Sequence, residues 1–161
     1  MGKADQGGRT DSRLAAGNST ATKPTSEASF IDTNVLVYAE AVDDPAKQAT
    51  ALALLRRLKP VGQGVISTKV SQEFANVAPR KLRLDIPHVR GQLAAHRQFE
   101  VVQVTPTIIQ SALDLHQTRS LSIFDAIIVQ AATVAGCDML YSEDLSAGEV
   151  INGVRIVNPF V

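Results

Sequence analysis

The sequence predicts an α/β domain built around a parallel central sheet of four to five strands. Three observations carry that prediction. From Ser29 onward, short apolar runs alternate with amphipathic stretches, the texture of strand-helix units. Most apolar runs are followed closely by a residue suited to start a helix. The clearest helix, Ile123 to Ala135, opens behind Ser122 and closes at Gly136, where a left-handed cap is wanted.

The elements follow in order. A first strand ends near Ile31, and a helix runs from Asn34 to Glu40 with Asp32 or Thr33 as its N-cap. Asp43, Asp44 and Pro45 announce a second helix, in which Ala49, Leu52, Leu55 and Leu58 keep helical spacing. Gly64, Val65 and Ile66 form a buried second strand. Ser67 or Thr68 then caps a helix that carries Val70, Phe74 and Val77 on one face and contains Glu73. A helix over Ile86 to Phe99 leads to a strand at Val101 to Val104, and Thr105 with Pro106 opens a helix reaching about Gln117. After the Ser122 helix, Met139 to Ser142 is the fourth strand. Val154 to Val157 is a fifth at an edge, stopped by Pro159.

Residues 1 to 28 have almost no large apolar side chains and no periodicity, so they are expected to be a disordered tail without assigned function, leaving 29–161 as one domain. With 161 residues, 45% of them hydrophobic, the chain has material for a single core. Its 16 basic and 16 acidic residues balance, so no global field advertises a nucleic-acid or membrane partner. No apolar run approaches the roughly 20 residues of a membrane span, and no signal-peptide core is present, so no membrane partner is expected. The lone Cys137 excludes an internal disulfide and a multi-thiol zinc site, and fits a reducing cytoplasm.

In an open parallel sheet, ligands bind beyond the carboxyl ends of the strands. Asp32 follows the first strand, Asp144 follows the fourth by two residues, Asp125 lies in the first turn of the helix before it, and Glu73 is on the same side. Four carboxylates about 5 Å apart, at an effective dielectric of about 20, would repel by roughly 3 kcal/mol per pair, so a cation must sit among them. Carboxylate oxygens without cysteine or histidine favour Mg²⁺ or Mn²⁺ over zinc. Such an ion lowers the pKa of a bound water and neutralises charge as a phosphodiester is attacked.

The strings around these acids carry a resemblance. Phe30-Ile31-Asp32-Thr33-Asn34-Val35-Leu36 resembles the opening motif of PIN domains, whose aspartate is a metal ligand. Ser71-Gln72-Glu73-Phe74 is similar to the second motif, Ser122-Ile123-Phe124-Asp125-Ala126-Ile127-Ile128 to the third, and Leu140-Tyr141-Ser142-Glu143-Asp144-Leu145 to the fourth. The likeness covers about residues 29 to 159. It implies a PIN-like three-layer α/β/α fold and a Mg²⁺- or Mn²⁺-dependent endoribonuclease leaving 5′-phosphate and 3′-hydroxyl ends. It further implies the toxin half of a VapBC-type pair, with RNA as substrate, a small antitoxin as partner, and a homodimer. Asp32, Glu73, Asp125 and Asp144 are then catalytic residues and metal ligands. Ser142 stands where the family often has threonine, and the long tail is unusual for such toxins.

Each acid also has a plainer role. Asp32 suits an N-cap, Ser122-x-x-Asp125 is capping-box-like, and Glu73 suits a solvated helix face. Either Glu143 or Asp144 suits simple turn chemistry. Thr33, Asn34 and Ser142 are placed to orient ligands. His88, His96 and His116 have no partner at ligand spacing, and Cys137 reads as a small buried apolar residue. Arg80, Lys81, Arg83 and Arg119 suit RNA phosphates or a solvated face. Residues 29 to 161 hold 12 basic and 13 acidic residues; without the four proposed ligands nine acids remain, a slightly basic remainder. At 4% aromatic content, extensive base stacking is not expected.

Two other functions use similar parts. A phospho-accepting receiver-like domain also sets acids at strand ends around Mg²⁺, but needs adjacent acids after the first strand and a lysine near the last. Here Asp32 is isolated and the final strand offers Arg155. A non-catalytic PIN-like scaffold would bind RNA or protein without cutting.

Overall fold

A computed structural model describes residues 27–161. Nearly all of the expected tail, residues 1–26, lies outside the described residues. The elements are β1 (Ser29–Ile31), α1 (Thr33–Glu40), α2 (Pro45–Leu58), β2 (Gly64–Ser67), α3 (Thr68–Lys81), α4 (Ile86–His96), β3 (Glu100–Val102), α5 (Pro106–Arg119), α6 (Ile123–Val134), β4 (Met139–Tyr141), β5 (Val150–Ile151) and β6 (Val154–Val157).

The sheet order is β3-β2-β1-β4-β6-β5. All neighbours pair parallel except β5 with β6. The Val154–Val157 strand is therefore an inner strand. The turn through Asn152 and Gly153, both with positive φ, folds the two-residue β5 back along it as the edge. β1 and β2 are buried along their whole length, as expected for strands covered on both faces, whereas edge strand β3 is half open.

Side-chain caps set the helix starts. Asp32, Asp44, Ser67, Asp85, Thr105 and Ser122 each accept a backbone N–H from the first turn that follows, and Gly136 takes the left-handed conformation after α6. In α2 the inward face is Ala51, Leu54, Leu55 and Leu58, while Ala49 is exposed and Leu52 half-buried. Both residue sets keep a helical spacing, and packing against α1 selects the other one. On α3, Ala78 takes the fully buried place beside Val70 and Phe74, leaving Val77 half-buried.

Helix α1 packs on α2 and α3, and α3 on α4, while α5 and α6 pair with each other and α6 lies against β2, β4 and β6. The three-layer α/β/α arrangement follows. At Gly64 a Cβ would lie 2.5 Å from the ring of buried Phe99, so only glycine lets that ring close the end of β2. None of the helices among the described residues is long and apolar enough to cross a membrane.

Candidate active site

The chain runs from β1 to β2 and β3 on one side of the sheet, then returns to lay β4 against the other side of β1. That reversal opens a crevice at the carboxyl ends of β1 and β4. The register aligns Ile31 with Tyr141, which sets Asp32 beside Ser142 just past both strands. The Asp32 N–H donates to the Tyr141 carbonyl at 3.0 Å, extending the ladder by one residue.

A cleft of about 450 Å³ occupies this crevice, and Asp32, Glu73, Asp125 and Asp144 all line it. Asp32 is 6% exposed. Its carboxylate accepts from the Thr33 N–H at 2.7 Å, from the Ser142 hydroxyl at 2.8 Å and from the Asn34 amide at 3.5 Å. Burial outweighs these bonds and pushes its pKa up from 3.8 to about 6. The Asn34 amide also reaches Asp144 at 3.1 Å, and the Ser142 hydroxyl accepts from the Asp144 N–H at 3.1 Å. Asn34 and Ser142 thus tie the two strand-end acids into one network.

The helix-borne acids have other partners. Glu73 accepts from Lys69 Nζ at 2.6 Å and from the Thr33 hydroxyl at 3.1 Å. Asp125 takes the Ser122 hydroxyl at 2.6 Å while its own N–H donates to that oxygen at 3.0 Å, so the capping role is realised here alongside its place in the cleft. Glu143 also lines the cleft, but Lys47 binds its carboxylate and donates to the Tyr38 hydroxyl at 2.9 Å. The Glu143 contact, followed by the Tyr38 hydroxyl, holds the Lys47 ammonium above its ordinary range.

In this arrangement no three histidine, cysteine, aspartate or glutamate side chains among the described residues stand close enough to hold one metal ion. The donor chemistry nonetheless fits a hard divalent cation: Asp43, Asp44 and Glu143 join the four expected acids on the cleft wall, which carries no imidazole or thiolate. The buried Asn34 Oδ1 adds an acceptor without a hydrogen-bond partner. Closing such a set requires rotation of Glu73 and Asp125 away from Lys69 and Ser122. The Glu73 side chain is 42% exposed, which leaves it room.

Other candidates go elsewhere. Lys81 lines the cleft, whereas Arg80 donates to Asn76 at 3.4 Å and Arg119 pairs with Glu149 at 3.4 Å. His88 contacts Glu40 at 2.9 Å. His96 is buried against Phe74 and Phe99, and that burial lowers its pKa to about 4. Cys137 is buried, and its thiol is pushed up to about 12.

The sequence reading missed Lys69, Lys47 and Phe124. Lys69 was legible, since it stands one helical turn before Glu73. Lys47 was not, because Glu143 lies 96 residues away from it.

Residues 29–150 match the sequence model of the PIN domain. The chain belongs to the PIN-domain family. That membership displaces the receiver-like alternative. No curated protein matches the chain in sequence. Among solved structures, this PIN domain is similar to a toxin-antitoxin complex from Klebsiella pneumoniae, with 22% identity and a TM-score of 0.61, covering 82% of this chain and 98% of that one. It is also similar to VapC20 of Mycobacterium tuberculosis, described as a Sarcin-Ricin loop cleaving toxin, with 20% identity and a TM-score of 0.60 over 78% of this chain and 98% of that one. VapBC2 of Rickettsia felis, solved with a DNA fragment from its promoter, gives 16% identity and a TM-score of 0.60 over 80% and 96%. At these identities the likeness is one of fold.

Proposed function

We propose that this PIN domain is a Mg²⁺- or Mn²⁺-dependent endoribonuclease and the toxin half of a toxin-antitoxin pair. The observation that carries the reading is the single cleft lined by Asp32, Glu73, Asp125 and Asp144, four acids from widely separated strings. Those four residues would hold the divalent cation, which supplies Lewis-acid charge for hydrolysis of an RNA phosphodiester when bound. The fold shared with VapC20 and with two toxin-antitoxin assemblies supports the biological role.

The chain's own groups do the positioning. Ser142 and Asn34 fix the carboxylates of Asp32 and Asp144 relative to each other, so the strand-end half of the site is set before substrate arrives. Thr33, in the first turn of α1, holds Glu73 through its hydroxyl. Lys69 balances the Glu73 charge and brings an ammonium to the cleft wall, where a phosphate would lie.

Purified chain should cut RNA in Mg²⁺ or Mn²⁺, leave 5′-phosphate ends and stop with EDTA. Asp32→Asn should abolish cleavage and Asp125→Asn should weaken it, and cutting at the unsubstituted rate by both variants would end the nuclease reading. Expression should arrest growth, with relief by a small antitoxin encoded beside it; harmless expression of active chain would remove the toxin role alone. The reading includes a homodimer, checked by light scattering.

A further inference from the structure

We infer that the ring of Phe124 is a stacking platform for one unpaired nucleobase of the RNA, beside the cleft that holds the phosphodiester. This rests on the nuclease reading above. Phe124 is 63% exposed on the first turn of α6, directly before Asp125. A single exposed apolar residue would mean nothing by itself. This one, however, walls two cavities at once: the acidic cleft, and an adjoining hollow of about 390 Å³ shared with Lys69, Gln72, Glu73 and Asn76.

Those four residues of α3 recur at i, i+3, i+4 and i+7, so they form one helical face opposite the ring. Its chemistry suits a nucleotide. Gln72 and Asn76 each carry donors and an acceptor able to meet a base edge, and an aromatic face accepts any base. Lys69 Nζ stands 5.5 Å from the ring centroid while bound to Glu73, close enough to serve the neighbouring phosphate. The hollow falls at the lower end of the size range for small-ligand sites, about 300 to 1,000 Å³, which suits one base. With five Phe, two Tyr and no Trp in the chain, a platform for a single base is what the composition allows.

The lack of tryptophan supplies the test, because Phe124→Trp makes the indole the only such fluorophore in the protein. In EDTA, a single-stranded RNA dodecamer of mixed sequence should quench that fluorescence saturably, and inorganic polyphosphate should not. Fluorescence anisotropy of the labelled dodecamer should show about ten- to a hundredfold weaker binding to Phe124→Ala, with Phe124→Tyr near the unsubstituted chain. Thermal melts check that the variants fold, as the exposed position leads us to expect.

Equal quenching by polyphosphate, or undiminished RNA binding by Phe124→Ala, would overturn the platform. So would a concentration-dependent blue shift without RNA, which would make the ring a contact between copies of the chain. Quenching by RNA that the unsubstituted chain never cuts would sink the nuclease reading and leave the platform standing. Cleavage without quenching would do the reverse.

Discussion

The two halves of the acidic cleft are built differently. Asp32 and Asp144 follow adjacent parallel strands, and Asp32 is buried with Ser142 and Asn34 against it. Glu73 and Asp125 stand on helices, half-buried, and each is held by a residue within four positions of it on the chain. In the strand half, sheet register sets Asp32 beside Ser142, and Asn34 links Asp32 to the exposed Asp144. The helix half is adjustable, because a rotamer change releases either acid. A site of this kind keeps one wall preorganised and lets the other close.

That contrast is breakable. The largest expected effect is at Asp32: Asp32→Ala should cost at least about a hundredfold in cleavage rate, with no recovery at raised Mn²⁺. Glu73→Gln should lose less and recover partly as Mn²⁺ is raised. Equal losses with equal recovery would erase the distinction between the halves. Next, Ser142→Ala should lower activity or metal affinity about ten- to a hundredfold, as loss of a ligand's orienting partner usually does. Ser142→Thr, which keeps the hydroxyl, should be nearly silent; an equally damaged threonine variant would mean that fit, and not the hydrogen bond, matters there.

Stability against pH sharpens the comparison further, because two buried groups act in opposite senses. Asp32 titrates at about 6 when folded against an ordinary 3.8, so the folded state holds its proton more tightly and stability falls as pH rises across that window. His96, on α4 behind Phe74, titrates at about 4 against 6.5. The unfolded chain holds that proton more tightly, so stability rises with pH through the same window and is lost as pH falls. Each contribution is on the order of 1–3 kcal/mol, and the two largely offset. In denaturant melts, Asp32→Asn should therefore leave a protein that weakens on acidification from pH 6.5 to 4. His96→Leu should leave one that strengthens. Parallel slopes in both variants would refute the assignment.

The smallest effect expected is at Lys69. Lys69→Met removes the ammonium that competes for Glu73, so calorimetry should find Mn²⁺ binding several-fold tighter, from a helix-scale charge contact of modest size. Unchanged affinity would mean that Glu73 is already free to turn.

Much of this architecture was written locally in the chain. Asp44 before Pro45, Ser67 after the Gly64 strand and Ser122 before α6 mark helix starts through their own side chains, so the order of elements and the strand-end position of Asp32 were readable. What escaped depends on distant partners. Spacing alone does not choose the inward face of α2, because Ala49 and Leu52 keep it as well as Ala51 and Leu54 do, and packing against α1 selects between them. The edge position of Val154–Val157 was misjudged because a two-residue strand such as β5 leaves almost no periodicity. The strings marked four acids, yet not that Glu143 would be engaged by Lys47 or that Phe124 would stay open beside the cleft.

The late insertion of β4 beside β1 has a consequence for biosynthesis. Until residues 139–141 have left the ribosome, β1 lacks its second neighbour, and Asp144 has yet to join Asp32. An N-terminal fragment, however well it begins to fold, carries only part of the acidic wall. The four acids therefore share one cleft only once β4 has taken its place beside β1.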